Sequence, residues 1–96
     1  MKKVNFEETF KSTGDLFGPN VVGEANGKPM SIGRFRGPFS WKSNNDEDDI
    51  LISMKGRHRI ELRNETLWLN EGEVIIIPKG TEYRPVIAKE VEVLSF

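Results

Sequence analysis

The chain of 96 residues holds a single histidine, His58, and no cysteine, so its capacity for chemistry rests on few groups. Without thiols, disulfide frameworks, thiolate zinc sites, iron–sulfur clusters and cysteine nucleophiles are excluded. One imidazole can carry a proton near neutrality or lend a lone pair to a metal. No nucleophile or carboxylate partner is identifiable for it along the sequence, so His58 reads first as a core or cavity-wall histidine. The run Asp46-Glu47-Asp48-Asp49 has the charge for calcium or magnesium but lacks the ligand and glycine spacing of an EF-hand, and it reads as a solvated acidic turn. Arg57, Arg59 and Arg63 could draw an anionic partner, yet Glu61 interrupts them and Glu65 follows, as on a solvated strand face. Trp41 and Trp68 lie on predicted strands, where packing in the core or at a dimer interface accounts for them. Asn64-Glu65-Thr66 matches the glycosylation acceptor pattern but has no secretory signal beside it.

The elements that must position these groups are short. Nine glycines and five prolines cut the chain into pieces of four to eight residues, the length of strands. Met30 to Phe35 reads as a strand, and Phe39 to Ser43 as extended chain after the break at Gly37-Pro38. Ile50 to Met54 and Val74 to Ile77 are continuously apolar, the pattern of strands covered on both faces. His58, Ile60 and Leu62 alternate with Arg57, Arg59, Glu61 and Arg63 at the period of two that marks a half-buried strand. Thr66 to Leu69 and Val91 to Phe96 complete seven or eight strands at spacings that suit an antiparallel sandwich or jelly roll. Only residues 5 to 17 have helical spacing, through Phe6, Phe10 and Phe17, Gly14 limits a helix there to about two turns, and the rings would clamp the N-terminal arm onto the barrel or a partner subunit.

The length allows one domain, expected over residues 1–96, and a domain this small gains burial by pairing with a copy of itself. A homodimer joined through strand edges or sheet faces is therefore expected. Fourteen basic against fifteen acidic residues leave a net charge of -1, which gathers neither nucleic acid nor anionic membrane. The opening Met1-Lys2-Lys3 is followed by no apolar stretch, so the expected location is cytoplasmic.

Two stretches carry a resemblance to a known family. The first is Gly37-Pro38-Phe39-Ser40-Trp41-Lys42-Ser43-Asn44 with Asp46 to Asp49. The second is Asn70-Glu71-Gly72-Glu73-Val74-Ile75-Ile76-Ile77-Pro78-Lys79-Gly80-Thr81-Glu82-Tyr83-Arg84-Pro85. Together they resemble the two motifs of the small single-domain cupins, and Val21 to Glu24, Asn26-Gly27 and Val91 to Leu94 extend the likeness over most of the chain. The resemblance implies an all-β fold, the double-stranded β-helix or jelly-roll barrel. Cupins ordinarily hold a divalent metal through two histidines, a glutamate and a third histidine. In this sequence those positions fall on Lys42, Asn44, Asp49 and Tyr83. A protonated lysine has no lone pair to give, and Asn44 and a neutral Tyr83 are weak ligands for such ions.

The resemblance with its substitutions implies a degenerate cupin without metal or other cofactor. Its barrel would bind a small polar or anionic molecule through Lys42, Asn44, Asp49, His58 and Tyr83. Lys42, as a fixed cation, would pair with Asp49 and the Tyr83 hydroxyl where the family keeps its metal. The alternative is a small enzyme of isomerase, lyase or dioxygenase type, working through a metal site rebuilt on Asp49 and His58 or without metal. In the metal-free version Tyr83 and His58 carry protons and Lys42 stabilises charge. A third reading, a structural or regulatory partner protein, predicts a conspicuous apolar surface patch.

Overall fold

The computed structural model describes residues 1–12 and 18–96. One short helix, α1 (Phe6–Ser12), precedes seven strands among the described residues: β1 (Asn20–Ala25), β2 (Lys28–Pro38), β3 (Asp49–Lys55), β4 (His58–Leu62), β5 (Thr66–Leu69), β6 (Val74–Ile77) and β7 (Tyr83–Ser95). All pairings are antiparallel, in the order β1-β2-β7-β3-β6, with β4 branching from β7 and carrying β5 on its far side.

β7 joins the two halves of this arrangement. Its first residues, Tyr83 to Val86, pair with β4, while Val91 to Ser95 lie between β2 and β3. A strand that serves both sheets must bend, and β2 bends with it through a register shift at Gly37, whose φ of 106° is open to glycine alone. The sequence predicts strands of 30–35 and 91–96 here, and both run longer. Pro85 lacks an N–H and reads as a break, yet it sits within β7, where its carbonyl accepts the Phe39 N–H at 3.1 Å.

β4 follows its alternation: His58 and Ile60 are buried and Leu62 packs against the same core. β6 does not follow its predicted coverage. Ile77 is buried and Ile75 packs beside it, but Val74 and Ile76 are 56% and 60% exposed. The reason is position, since β6 pairs only with β3 and ends the sheet. Two clusters fill the interior. Ile60, Leu69, Ile77 and Tyr83 form one; Ile87, Val91 and Val93 form the other, and Leu51 packs against both.

Helix α1 spans seven residues, the two turns that the sequence predicts there. Asn5 caps it, its side-chain oxygen accepting the Glu8 N–H at 2.9 Å. Phe10 is buried against Ile32, and Phe6, Met54 and Leu94 close around them, so two of the three rings do fasten the arm to the sheet. Phe17 lies outside the described residues. The arm runs close over the sheet at Gly33, where a Cβ would collide with the Gly18 carbonyl.

Candidate functional site

The two motifs meet through several backbone contacts, among them an isolated bridge. Lys42 and Tyr83 exchange both backbone hydrogen bonds at 2.9 Å, which fixes the two segments side by side at one end of the barrel. Around them opens a cavity of about 450 Å³, within the range of small-molecule sites. All five residues singled out from the sequence line it: Lys42, Asn44, Asp49, His58 and Tyr83.

Asp49 is the centre of a small network. Its Oδ2 accepts the Tyr83 hydroxyl at 2.7 Å and its Oδ1 accepts the Asn44 amide at 3.0 Å. Asn44 in turn uses its Oδ1 to accept the backbone N–H groups of Asp46 and Glu47 at 3.0 and 3.2 Å, closing the acidic turn on itself. The Asp48 carboxylate accepts the Lys79 N–H at 2.9 Å, and Asn44 offers its backbone carbonyl to Gly80. Asn44 is therefore a brace between the motifs, with little capacity left for a ligand.

The hydroxyl of Tyr83 is held far above its ordinary range, first by burial, then by its hydrogen bond to Asp49 and by that carboxylate's charge. It is a proton donor throughout the neutral range. The predicted pairing of Lys42 with Asp49 does not occur. Lys42 is exposed, and its ammonium sits 5.3 Å from the centroid of the Tyr83 ring, a cation–π contact. The reason is the Asn44 turn, which already supplies Asp49 with a second donor and leaves it no need of a cation.

His58 occupies a different part of the wall. It stands four residues along β4 from Leu62, the partner of Tyr83, which is about 13 Å at the rise of a strand. It is 3% exposed, and its Nδ1 is buried with no hydrogen-bond partner. Burial lowers its pKa from the ordinary 6.5, so the ring is neutral at physiological pH. The unfolded chain then binds a proton more readily than the folded one, and stability falls as pH drops below 6.5 toward the depressed folded value. Melting temperatures between pH 7.5 and 5 are expected to decline more steeply in the parent than in His58→Phe; equal slopes would contradict this.

These residues do not fit the metal that cupins ordinarily carry. Both Asp49 oxygens are engaged by neutral donors, the Tyr83 oxygen keeps its proton, Lys42 is a cation, and His58 lies well removed along the barrel. Among the described residues, no three of His, Cys, Asp or Glu come together as a metal site.

Sequence reasoning missed the rest of the cavity wall. Phe35, Phe39, Ile87 and Val93 supply its apolar part, and Lys28, paired with Glu47 at 3.5 Å, stands at its rim. Ser31, Ser95 and Leu51 face it from one cross-strand row. A sign of the first two rings lay in the alternation Ser31, Gly33, Phe35, which puts small and aromatic residues on one face. The tryptophans are outside the core. Trp68 is 51% exposed beside the Arg57 guanidinium, and Trp41 is stacked by Arg63 at 3.9 Å and Arg84 at 5.2 Å.

No family model matches this sequence, and no curated protein does. Solved structures do. A cupin-2 domain containing protein from Shewanella frigidimarina is 29% identical over 96% of this chain and 90% of its own, with a TM-score of 0.90. A protein from Neisseria meningitidis is 16% identical over 98% of this chain and 96% of its own, with a TM-score of 0.86. A cupin superfamily protein from Desulfitobacterium hafniense covers 80% of this chain and 72% of its own at 13% identity, with a TM-score of 0.71. The last two carry the fold alone; with the first, and with the two motifs bridged at Lys42 and Tyr83, they lead to one conclusion: this chain is a small cupin-like domain with a jelly-roll fold.

Proposed function

We infer that the protein is a single-domain, cytoplasmic, metal-independent binding protein that takes a small polar or anionic molecule into its barrel. The observation that carries this reading is a cavity of about 450 Å³ whose wall includes Lys42, a cation with no ion-pair partner among the described residues, and the buried imidazole of His58. The acid–base alternative has less support. Tyr83 holds its proton too firmly to act as a base, and His58 stands about 13 Å along the strand from it.

The chain is proposed to act as a homodimer joined at β6. Val74 and Ile76 are exposed side by side on this edge strand, and an exposed apolar edge invites pairing. An antiparallel pairing of two β6 strands would set the acidic end, Glu71 and Glu73, against the Lys79 end of the second copy. Sedimentation equilibrium is expected to give a dimer for the parent and a monomer for Ile76→Lys; a monomeric parent rejects this assignment.

Binding itself is tested by following backbone amide resonances against a panel of small carboxylates, sugars, amino acids and amines. Saturable shifts at Tyr83, His58 and Ile87 are expected from at least one class. A panel that leaves these residues unmoved while shifting only surface positions would count against the pocket reading.

A further inference from the structure

We propose that the cavity selects an amphipathic monoanion: a carboxylate held at Lys42, an aromatic or branched apolar body between Phe35, Phe39, Ile87 and Val93, and a hydroxyl that partners His58. The inference rests on the pocket reading above and names the class of molecule the pocket takes.

Charge decides the first part. Four ionisable side chains other than His58 and Tyr83 line the cavity, Lys28, Lys42, Glu47 and Asp49. Lys28 and Glu47 neutralise one another at 3.5 Å, and Lys28 also donates to the Asp48 carbonyl at 2.8 Å. Asp49 accepts from Tyr83 and Asn44 on its two oxygens, which stabilises its charge from within the protein and leaves it little call on a cationic ligand. Lys42 has no ion-pair partner among the described residues. Its three N–H donors stand at the accessible end, where an anionic group can reach them without being fully stripped of water.

The wall decides the second part. Beyond Tyr83 the lining passes to Phe35, Phe39, Leu51, Pro85, Ile87 and Val93, a stretch that offers a ligand burial rather than hydrogen bonds. A sugar would strip its hydroxyls of water against these six side chains, with Ser31 and Ser95 beside Leu51 to replace a part of what is lost, whereas a ring would gain from burial. His58 then decides the third. It lines the cavity at 3% exposure with its Nδ1 enclosed, and a hydroxyl that meets the other ring nitrogen suits either tautomer, because a hydroxyl both donates and accepts.

The probes are 4-hydroxyphenylacetate, phenylacetate, tyramine and glucose, titrated into the full chain and followed by amide resonances and calorimetry. 4-Hydroxyphenylacetate is expected to saturate the cavity residues. Phenylacetate, lacking the hydroxyl, and tyramine, a cation, are each expected to bind at least about tenfold more weakly, the size of one good polar contact. Lys42→Met is expected to remove most of the preference for 4-hydroxyphenylacetate over tyramine, and His58→Phe the preference over phenylacetate, while each variant keeps the parent's amide spectrum elsewhere. Tyramine or glucose binding in the cavity as tightly as 4-hydroxyphenylacetate would overturn this inference and leave the pocket reading standing. Cavity resonances unmoved by all four probes would overturn the inference too, and cavity shifts from some other class in the wider panel would show that the pocket reading survives it.

Discussion

Replacing Tyr83 with alanine is expected to lower the free energy of unfolding by about 3–5 kcal/mol, the range for deleting a buried aromatic ring. The side chain is 1% exposed and belongs to the cluster of Ile60, Leu69 and Ile77, so its removal leaves a cavity at the junction of β4, β6 and β7. Tyr83→Phe separates ring from hydroxyl. It keeps the packing and removes the donor to Asp49, at an expected cost of about 1.5–3 kcal/mol for a hydrogen bond to a charged group. Urea unfolding of the three proteins at pH 7 measures both steps. An alanine variant within about 1 kcal/mol of the parent would show that this packing is not what holds the junction.

The same residue sets an alkaline limit. Burial, together with the Asp49 hydrogen bond and charge, raises the Tyr83 pKa above 10.0, so the folded chain keeps a proton that the unfolded chain releases. Stability is therefore expected to fall as pH rises past 10, and Tyr83→Phe to lack that part of the slope.

The second large effect is expected at Asp49. Alanine there strands the buried Tyr83 hydroxyl and one amide hydrogen of Asn44, at an expected cost of about 2–4 kcal/mol for the two donors left without acceptors. Asp49→Asn is a sharper test, since it preserves shape. Its side-chain oxygen can accept from Tyr83 or from Asn44 but not from both: facing Tyr83 it sets its amide against the Asn44 amide, donor against donor, and turned toward Asn44 it leaves the Tyr83 hydroxyl without an acceptor. Asp46→Ala is the control, because that carboxylate is exposed in the same turn. Equal stabilities for Asp49→Ala and Asp46→Ala would mean that the network contributes nothing to holding the motifs together.

What could be read from the sequence, and what could not, divides along a physical line. Alternation fixes direction, so His58, Ile60 and Leu62 were placed on one face and lie there. Coverage is not a property of a strand alone. Val74 to Ile77 is apolar throughout, yet half of it is bare, because β6 ends the sheet. Proline does not break β7, since it stops a central strand only where its missing N–H is needed, and at Pro85 the carbonyl does the pairing. The motif spacing brought Lys42, Asn44, Asp49 and Tyr83 to one end of a cavity, but not their pairing. That was decided by the turn of Asn44, a local arrangement of five atoms that no spacing encodes. The apolar half of the wall, Phe35, Phe39, Ile87 and Val93, comes from two strands whose register is set by a bulge. Register of that kind emerges from pairing and not from either strand's own pattern.

The central claim is that this cupin-like barrel has exchanged a metal centre for a pocket that holds an organic molecule by itself. The most direct measurement is a calorimetric titration of the protein with nickel, manganese, iron and zinc, after elemental analysis of protein purified without an affinity tag. The account predicts no stoichiometric metal, no saturable heat, and unmoved resonances at Asp49 and His58. One metal per chain, with Asp49 and His58 shifting as it binds, would contradict it.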